Sequence, residues 1–242
     1  MDANQQQSIL PMKSESQKHL RKVRSFVRRE RRFTRDQQRA LDELLLRFGV
    51  IPTEDVIDLD SLFGRVAERH LEIGFGDGAN LLGMAQANPD RDYLGIEVHR
   101  PGVANVLLQI ESLNIANVRV ICTDAVEVLK HNLADSTLDA VYIFFPDPWH
   151  KTRHQKRRLV QVPFVELVQR RLKTGGLLHM ATDWQHYARH MLKVMHQVPG
   201  FQNLSPDDSF CERPAYRLLT RFEQRGLRLG HGVWDLMFRK IA

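Results

Sequence analysis

The chain has 242 residues, 43% of them hydrophobic and 26% charged, which suits one sizeable core with appended segments rather than two full domains. No run approaches the ~18 uninterrupted apolar residues of a membrane span, the stretch from Met1 to Leu20 has no apolar centre of a secretory signal, and Cys122 and Cys211 are too few for a disulfide framework. A cytoplasmic protein with reduced thiols is expected, and an excess of Lys plus Arg over Asp plus Glu, 35 to 29, favours a polyanionic partner.

Residues 1 to about 20 are poor in apolar side chains and contain Gln5-Gln6-Gln7, a composition expected to be mobile. The next segment carries Arg21, Lys22, Arg24, Arg28, Arg29, Arg31, Arg32, Arg35 and Arg39 against Glu30 and Asp36. Such an excess is either solvated or paired with phosphates; it also imitates an organelle transit peptide, a reading that Glu15 and Glu30 weaken. The predicted division is a basic arm and lead-in helix over 1–65 and one folded domain over 66–242.

From residue 66 short apolar runs alternate with longer amphipathic ones. The pattern predicts strands near 69–73, 92–96, 118–122, 138–144 and 176–182, and helices near 79–87, 100–114, 125–131, 157–172 and 184–197. Runs at Phe201–Leu204 and Val233–Phe238 add a final pair of strands, one antiparallel. The predicted fold class is α/β: a mostly parallel seven-stranded sheet with helices on both faces.

The first strand ends in Leu71-Glu72-Ile73-Gly74-Phe75-Gly76-Asp77-Gly78, at the edge where doubly wound folds bind ligands. Alternating glycines there allow close backbone approach and positive φ. A dinucleotide-binding Gly-x-Gly-x-x-Gly loop would place its third glycine one residue later. It would also set Glu72 and Asp77 beside a pyrophosphate. Two carboxylates suit a cationic sulfonium cofactor better, so the charge favours S-adenosylmethionine over NAD. Glu97, ending the second strand, is placed to accept ribose hydroxyls. Asp124, ending the third, is placed for an adenine amino group or, equally, to cap the following helix.

After the fourth strand, Phe145-Pro146-Asp147-Pro148-Trp149-His150-Lys151 makes a proline-stiffened turn around one carboxylate and one indole, able to position reacting groups. The basic run that follows can hold phosphates while Trp149 or a phenylalanine packs on a base. His186 and His190 stand one helical turn apart without a third ligand, so no metal is predicted.

Arg24-Ser25-Phe26-Val27-Arg28-Arg29, Leu71 to Gly78, Gly95-Ile96-Glu97-Val98-His99, Asp124-Ala125, Phe145 to Lys151, Thr182-Asp183-Trp184 and Thr220 to Gly226 together resemble the bacterial tRNA (guanine-N(7)-)-methyltransferases, from about Arg24 to the C-terminus. The resemblance implies a Rossmann-like class I methyltransferase fold, S-adenosylmethionine as cofactor, tRNA as partner, and the variable-loop guanine at tRNA position 46 as target. It implies cofactor contacts at Glu72, Glu97, Asp124 and Asp147, joined by Gly74 and Gly76 of the glycine loop, with Asp147 also catalytic. Lys151, Asp183, Thr220, Arg221, Phe222 and Glu223 become substrate contacts. Arg153, His154, Gln155, Lys156, Arg157 and Arg158 become an RNA-facing segment. Arg221 stands where the family has lysine, keeping charge but changing its geometry.

Local structure offers rival roles for three of these: Asp183 as a helix N-cap, and Thr220 with Glu223 as a capping box. Two rival functions remain: the same fold acting on another RNA or DNA base, and a non-catalytic RNA-binding protein. Intact carboxylates at successive strand ends weigh against the second.

Overall fold

The computed structural model describes residues 25, 26, 32–228, 230 and 232–242. The segment expected to be mobile, and the basic residues from Arg21 to Arg31, lie outside the described residues. Thr34 opens the lead-in with a reciprocal cap: its hydroxyl accepts from the Gln37 N–H and the Gln37 side chain from the Thr34 N–H. There follow α1 (Arg35–Arg39), a π-helical turn (Ala40–Leu44), α2 (Leu45–Phe48) and α3 (Leu59–Phe63).

The alternating part comprises β1 (Arg69–Ile73), α4 (Ala79–Ala87), β2 (Asp92–Ile96), α5 (Arg100–Ser112), β3 (Val118–Ile121), α6 (Ala125–His131) and β4 (Leu138–Phe144). A 3₁₀ turn (Thr152–Arg157) then leads into α7 (Val162–Arg171), β5 (Leu172–Thr182), α8 (Gln185–Met195), β6 (Phe201–Asn203), α9 (Arg221–Arg228) and β7 (Trp234–Lys240). The sheet order is β3-β2-β1-β4-β5-β7-β6. Strands β1 to β5 are parallel and β7 runs antiparallel to both neighbours. The chain reverses its winding between β1 and β4, which opens a crevice at their carboxyl ends.

Strand alternation divides the core into two layers. Leu71, Ile73, Val141 and Ile143 face α6, α7 and α8. Tyr93, Ala140, Tyr142 and Phe144 face α4, α5 and the π-helical turn. Glu72, out of phase with Leu71 and Ile73, therefore points to the second layer. The lead-in packs there too: Gln37 donates to Asn105 at 3.1 Å, and Arg39 pairs with Glu111 at 2.8 Å.

Two predicted bounds are corrected. The helix expected from residue 157 begins at Val162, with Pro163 in its first turn, where a missing N–H costs nothing; the residues before it wind the 3₁₀ turn instead. The fifth strand, expected from residue 176, starts at Leu172 and so includes Gly175-Gly176. Its register against β4 jumps from Leu138↔Leu172 to Ala140↔Leu177, so the glycines form a bulge inside the strand, with φ of 84° at Gly175.

Candidate functional site

The glycine loop leaves β1 with φ of 77° at Gly74, 57° at Gly76 and 81° at Gly78, a conformation side chains resist. Neighbouring elements press on it as well. A Cβ on Gly78 would stand 2.3 Å from Val106, and one on Gly102 of α5 would stand 2.5 Å from the Gly76 carbonyl. Asp77 accepts from the N–H of Ala79, the first residue of α4, at 3.2 Å; the capping position itself falls on Gly78.

Glu72 is only 3% exposed, and its Oε2 is buried without a hydrogen-bond partner among the described residues. Burial, with the charges of Asp77 and Glu97 added, pushes its carboxyl well above the usual range. Glu97 is tightly held. Its Oε2 accepts from the Gly76 N–H at 3.0 Å, and its Oε1 from the N–H groups of Val98 and His99 at 2.6 and 2.9 Å. Asp124 takes up the capping role foreseen for it, accepting from the Val126 N–H at 3.0 Å, and also lines the cavity.

Two adjoining cavities meet at the turn after β4. One, of about 200 Å³, is lined by Ser25, Phe26, Glu97, Asp124 and Leu159. The other, of about 670 Å³, is lined by Glu72, Asp77, Asn80, His150, Asp183, Trp184 and Thr220. Gly74, Phe144, Phe145, Pro146 and Asp147 line both. Phe145 and Trp149 adopt φ of 53° and 45°, a left-handed conformation that bulky side chains hold only where their surroundings impose it, commonly at functional sites. Of the residues expected from the sequence, Glu72, Gly74, Gly76, Glu97, Asp124, Asp147, Asp183 and Thr220 thus surround one crevice.

Asp183 does not cap α8: the capping position falls on Trp184, and no side chain caps it. Thr220 forms half the expected box, accepting from the Glu223 N–H at 3.2 Å. The other half is absent, because the Glu223 carboxylate turns inward to Arg217, which donates to both its oxygens at 2.7 and 2.9 Å. Glu223 is 2% exposed and its partner Arg217 fully buried, so the direct substrate contact expected of Glu223 is corrected: its carboxylate is spent on Arg217 behind the crevice wall. Arg221 and Phe222 begin α9; their side chains lie outside the described residues.

Arg217 also donates to both oxygens of Asp235, at 2.6 and 2.8 Å. Burial lowers its pKa, but Glu223 and Asp235 outweigh burial and raise it. Asp235 accepts from His179 at 2.7 Å, and Tyr216 lies 2.9 Å from the other His179 nitrogen. Burial holds His179 below its usual pKa despite Asp235. Its partners therefore select the neutral ring, with Nε2–H donating and Nδ1 accepting. The Arg217 guanidinium covers Phe144 and Phe145 at 6.0 and 5.5 Å, and the Leu218 N–H donates to Asn80 at 2.7 Å. This network ties the last third of the chain to the crevice wall; nothing in its sequence spacing announced it.

The expected RNA-facing run divides. Arg153 and Lys156 are exposed, as is Lys151 before them, while His154, Gln155 and Arg157 are half-buried. Arg158 is corrected: it is 3% exposed, donates to the Pro148 carbonyl at 2.9 Å, contacts His186 at 3.1 Å and stacks on Tyr187. The basic neighbours Arg153, Arg157, Lys151 and Lys156 add to desolvation in lowering the His154 pKa. Trp149 is not a free platform for a base. Its indole N–H donates to the Ser25 carbonyl at 3.0 Å, Arg157 covers its ring at 5.0 Å, and it is absent from both cavity walls.

Among the described residues no helix is long and apolar enough to cross a membrane, and no cluster of His, Cys, Asp or Glu could hold a metal. The solved 16S rRNA methyltransferase KamB matches 79% of this chain and 97% of its own at TM-score 0.58 and 12% identity. The antibiotic-resistance methyltransferase Kmr matches 80% and 95% at 0.53 and 17%. These likenesses establish the Rossmann-like class I methyltransferase fold. A family model described as "Putative methyltransferase" matches residues 67–236. The tRNA (guanine-N(7)-)-methyltransferase of Serratia proteamaculans (strain 568) is 55% identical over 96% of this chain and 97% of its own length. The protein of that name from Escherichia coli (strain K12) is 53% identical over 96% and 98%. The chain belongs to the tRNA (guanine-N(7)-)-methyltransferase family.

Proposed function

We propose that the protein transfers a methyl group from S-adenosylmethionine to N7 of the variable-loop guanine at tRNA position 46. The observation that carries this reading is the Glu72 carboxylate, buried, without a partner for Oε2 among the described residues and next to two further acids. A cationic ligand relieves such a group, whereas a pyrophosphate aggravates it. The residues present therefore fit a cofactor bearing an ammonium and a sulfonium. Glu97, fixed by three backbone N–H groups, retains lone pairs for ribose hydroxyls, and Asp124 for an adenine amino group. Gly74 and Gly76 admit the ligand close to the backbone. S-adenosylmethionine, when bound, supplies a methyl group activated by its sulfonium charge.

Guanine N7 has an available lone pair, so the chain need not remove a proton; its work is orientation. Asp147 and Asp183, lining the same cavity, orient the guanine edge and offset the positive charge that develops on it. Thr220, Arg221 and Phe222 complete the substrate side, and Glu223 supports them through Arg217. Lys151, Arg153, Lys156 and Arg157 hold phosphates, with His154 and Gln155 at their side. Residues 1–65 act as an arm and lead-in to the catalytic domain, and the protein works in the cytoplasm, where tRNA is its partner.

Incubation with methyl-labelled cofactor and total tRNA, followed by nucleoside analysis, tests the reading. The expected product is 7-methylguanosine; label in any other nucleoside, or none, overturns it. Asp147→Ala should reduce turnover at least a hundredfold while tRNA affinity changes little; unchanged turnover removes Asp147 from the mechanism.

A further inference from the structure

One aromatic ring of the larger cavity has no role in the reading above. Trp184 follows Asp183 at the start of α8, its backbone N–H held by Thr182 Oγ1 at 3.3 Å. It is 42% exposed and lines the cavity with Asp147, Asp183 and Thr220. The other rings of that wall are committed: Phe75 and Phe144 are buried, and Phe145 lies under Arg217. The His150 ring meets Trp184 with centroids 4.3 Å apart at 83°. The two rings form a right-angled corner beside two carboxylates.

A flat, electron-rich ring next to acids suits a flat ligand that acquires positive charge. Guanine is such a ligand: N7 takes the methyl with its own lone pair, no proton leaves, and the charge given up by the methyl donor appears on the purine. Indole attracts a cation over its face through its quadrupole, and base stacking on tryptophan adds affinity whatever the charge. Only the charge-dependent part grows along the reaction, so it accelerates transfer rather than merely tightening binding.

We propose that Trp184, cornered by His150, is the platform on which the target guanine stacks, and that it binds the methylated, cationic purine more tightly than the neutral one. The proposal rests on the guanine-N7 reading and adds a residue that contacts the reacting ring. It also places the base stack on Trp184 instead of Trp149.

Two measurements on the full chain test it. Titration with 7-methylguanosine 5′-monophosphate should quench tryptophan fluorescence several-fold more tightly than titration with guanosine 5′-monophosphate. Trp184→Phe, which keeps Trp149 and Trp234, should lose that quench. On tRNA, Trp184→Leu should lower kcat at least tenfold with cofactor affinity and melting temperature unchanged, and Trp184→Phe should recover most of the rate. Equal affinity for the two nucleotides, no quench in the wild type, a quench that survives in Trp184→Phe, or wild-type kcat in Trp184→Leu overturns the proposal. A wild-type chain that forms no 7-methylguanosine in tRNA overturns the functional reading itself; one that does, beside an equally active Leu variant, overturns only the role of Trp184.

Discussion

Glu72 sets folding and binding against each other. Its carboxyl is held well above its ordinary value of 4.5 by burial and by Asp77 and Glu97. The folded state therefore binds this proton more tightly than the unfolded state, and stability falls as pH rises from about 4.5 toward the raised value. Above that value the loss is constant. Glu72→Gln removes it, so the variant should melt higher than the wild type at pH 8, by ~2–4 °C per kcal/mol recovered, with the difference vanishing near pH 4. The same variant should lose at least tenfold in S-adenosylmethionine affinity by calorimetry. A variant that melts lower at pH 8 and binds the cofactor normally contradicts the role given to Glu72.

Among single elements, the turn after β4 and the 3₁₀ turn beyond it separate two kinds of basic residue that look alike in sequence. Arg153 and Lys156 reach solvent, whereas Arg158 is spent on Pro148, His186 and Tyr187. Arg153→Ala and Lys156→Ala should each weaken tRNA binding and flatten the slope of log K against log salt by about 0.7–0.9, without changing the melting temperature. Arg158→Ala should lower the melting temperature, because it removes a buried side chain packed on Tyr187 and leaves the half-buried Pro148 carbonyl without its donor. Binding isotherms across a salt series, set beside melting curves, check both. The Arg-Arg pair at 157 and 158 could not be divided from sequence, since burial is decided by α8, which arrives almost thirty residues later. The strand ends were legible for the opposite reason. Glu72, Glu97 and Asp124 follow apolar runs whose period fixes both the element and the edge at which it stops. Trp149 could not be placed from sequence, because the exposure of an indole depends on its tertiary neighbours, here Ser25 and Arg157.

Across the whole molecule, Arg217 joins parts that the order of elements leaves distant. It reaches Glu223 on α9, Asp235 on β7 and, through Asp235, His179 on β5, while covering the two phenylalanines at the end of β4. The sheet and its final antiparallel strand could be foreseen from hydrophobic runs; this cross-link could not, because long-range ion pairs leave no periodic trace. Arg217→Met strands two buried carboxylates, a loss of about 3–5 kcal/mol. The melting temperature should fall by roughly 6–20 °C, measured by calorimetry; a fall of a degree or less would show that the network carries no such load.

The central claim is that the crevice between β1 and β4 brings one tRNA guanine N7 to a cationic methyl donor. A single purified tRNA carrying guanine at position 46, incubated with the protein and S-adenosylmethionine, reduced with borohydride and treated with aniline, tests it most directly. Strand scission at position 46, dependent on the cofactor and lost when that guanine is replaced by adenine, is the predicted result. Scission elsewhere, or an intact strand after full methyl incorporation, would contradict it.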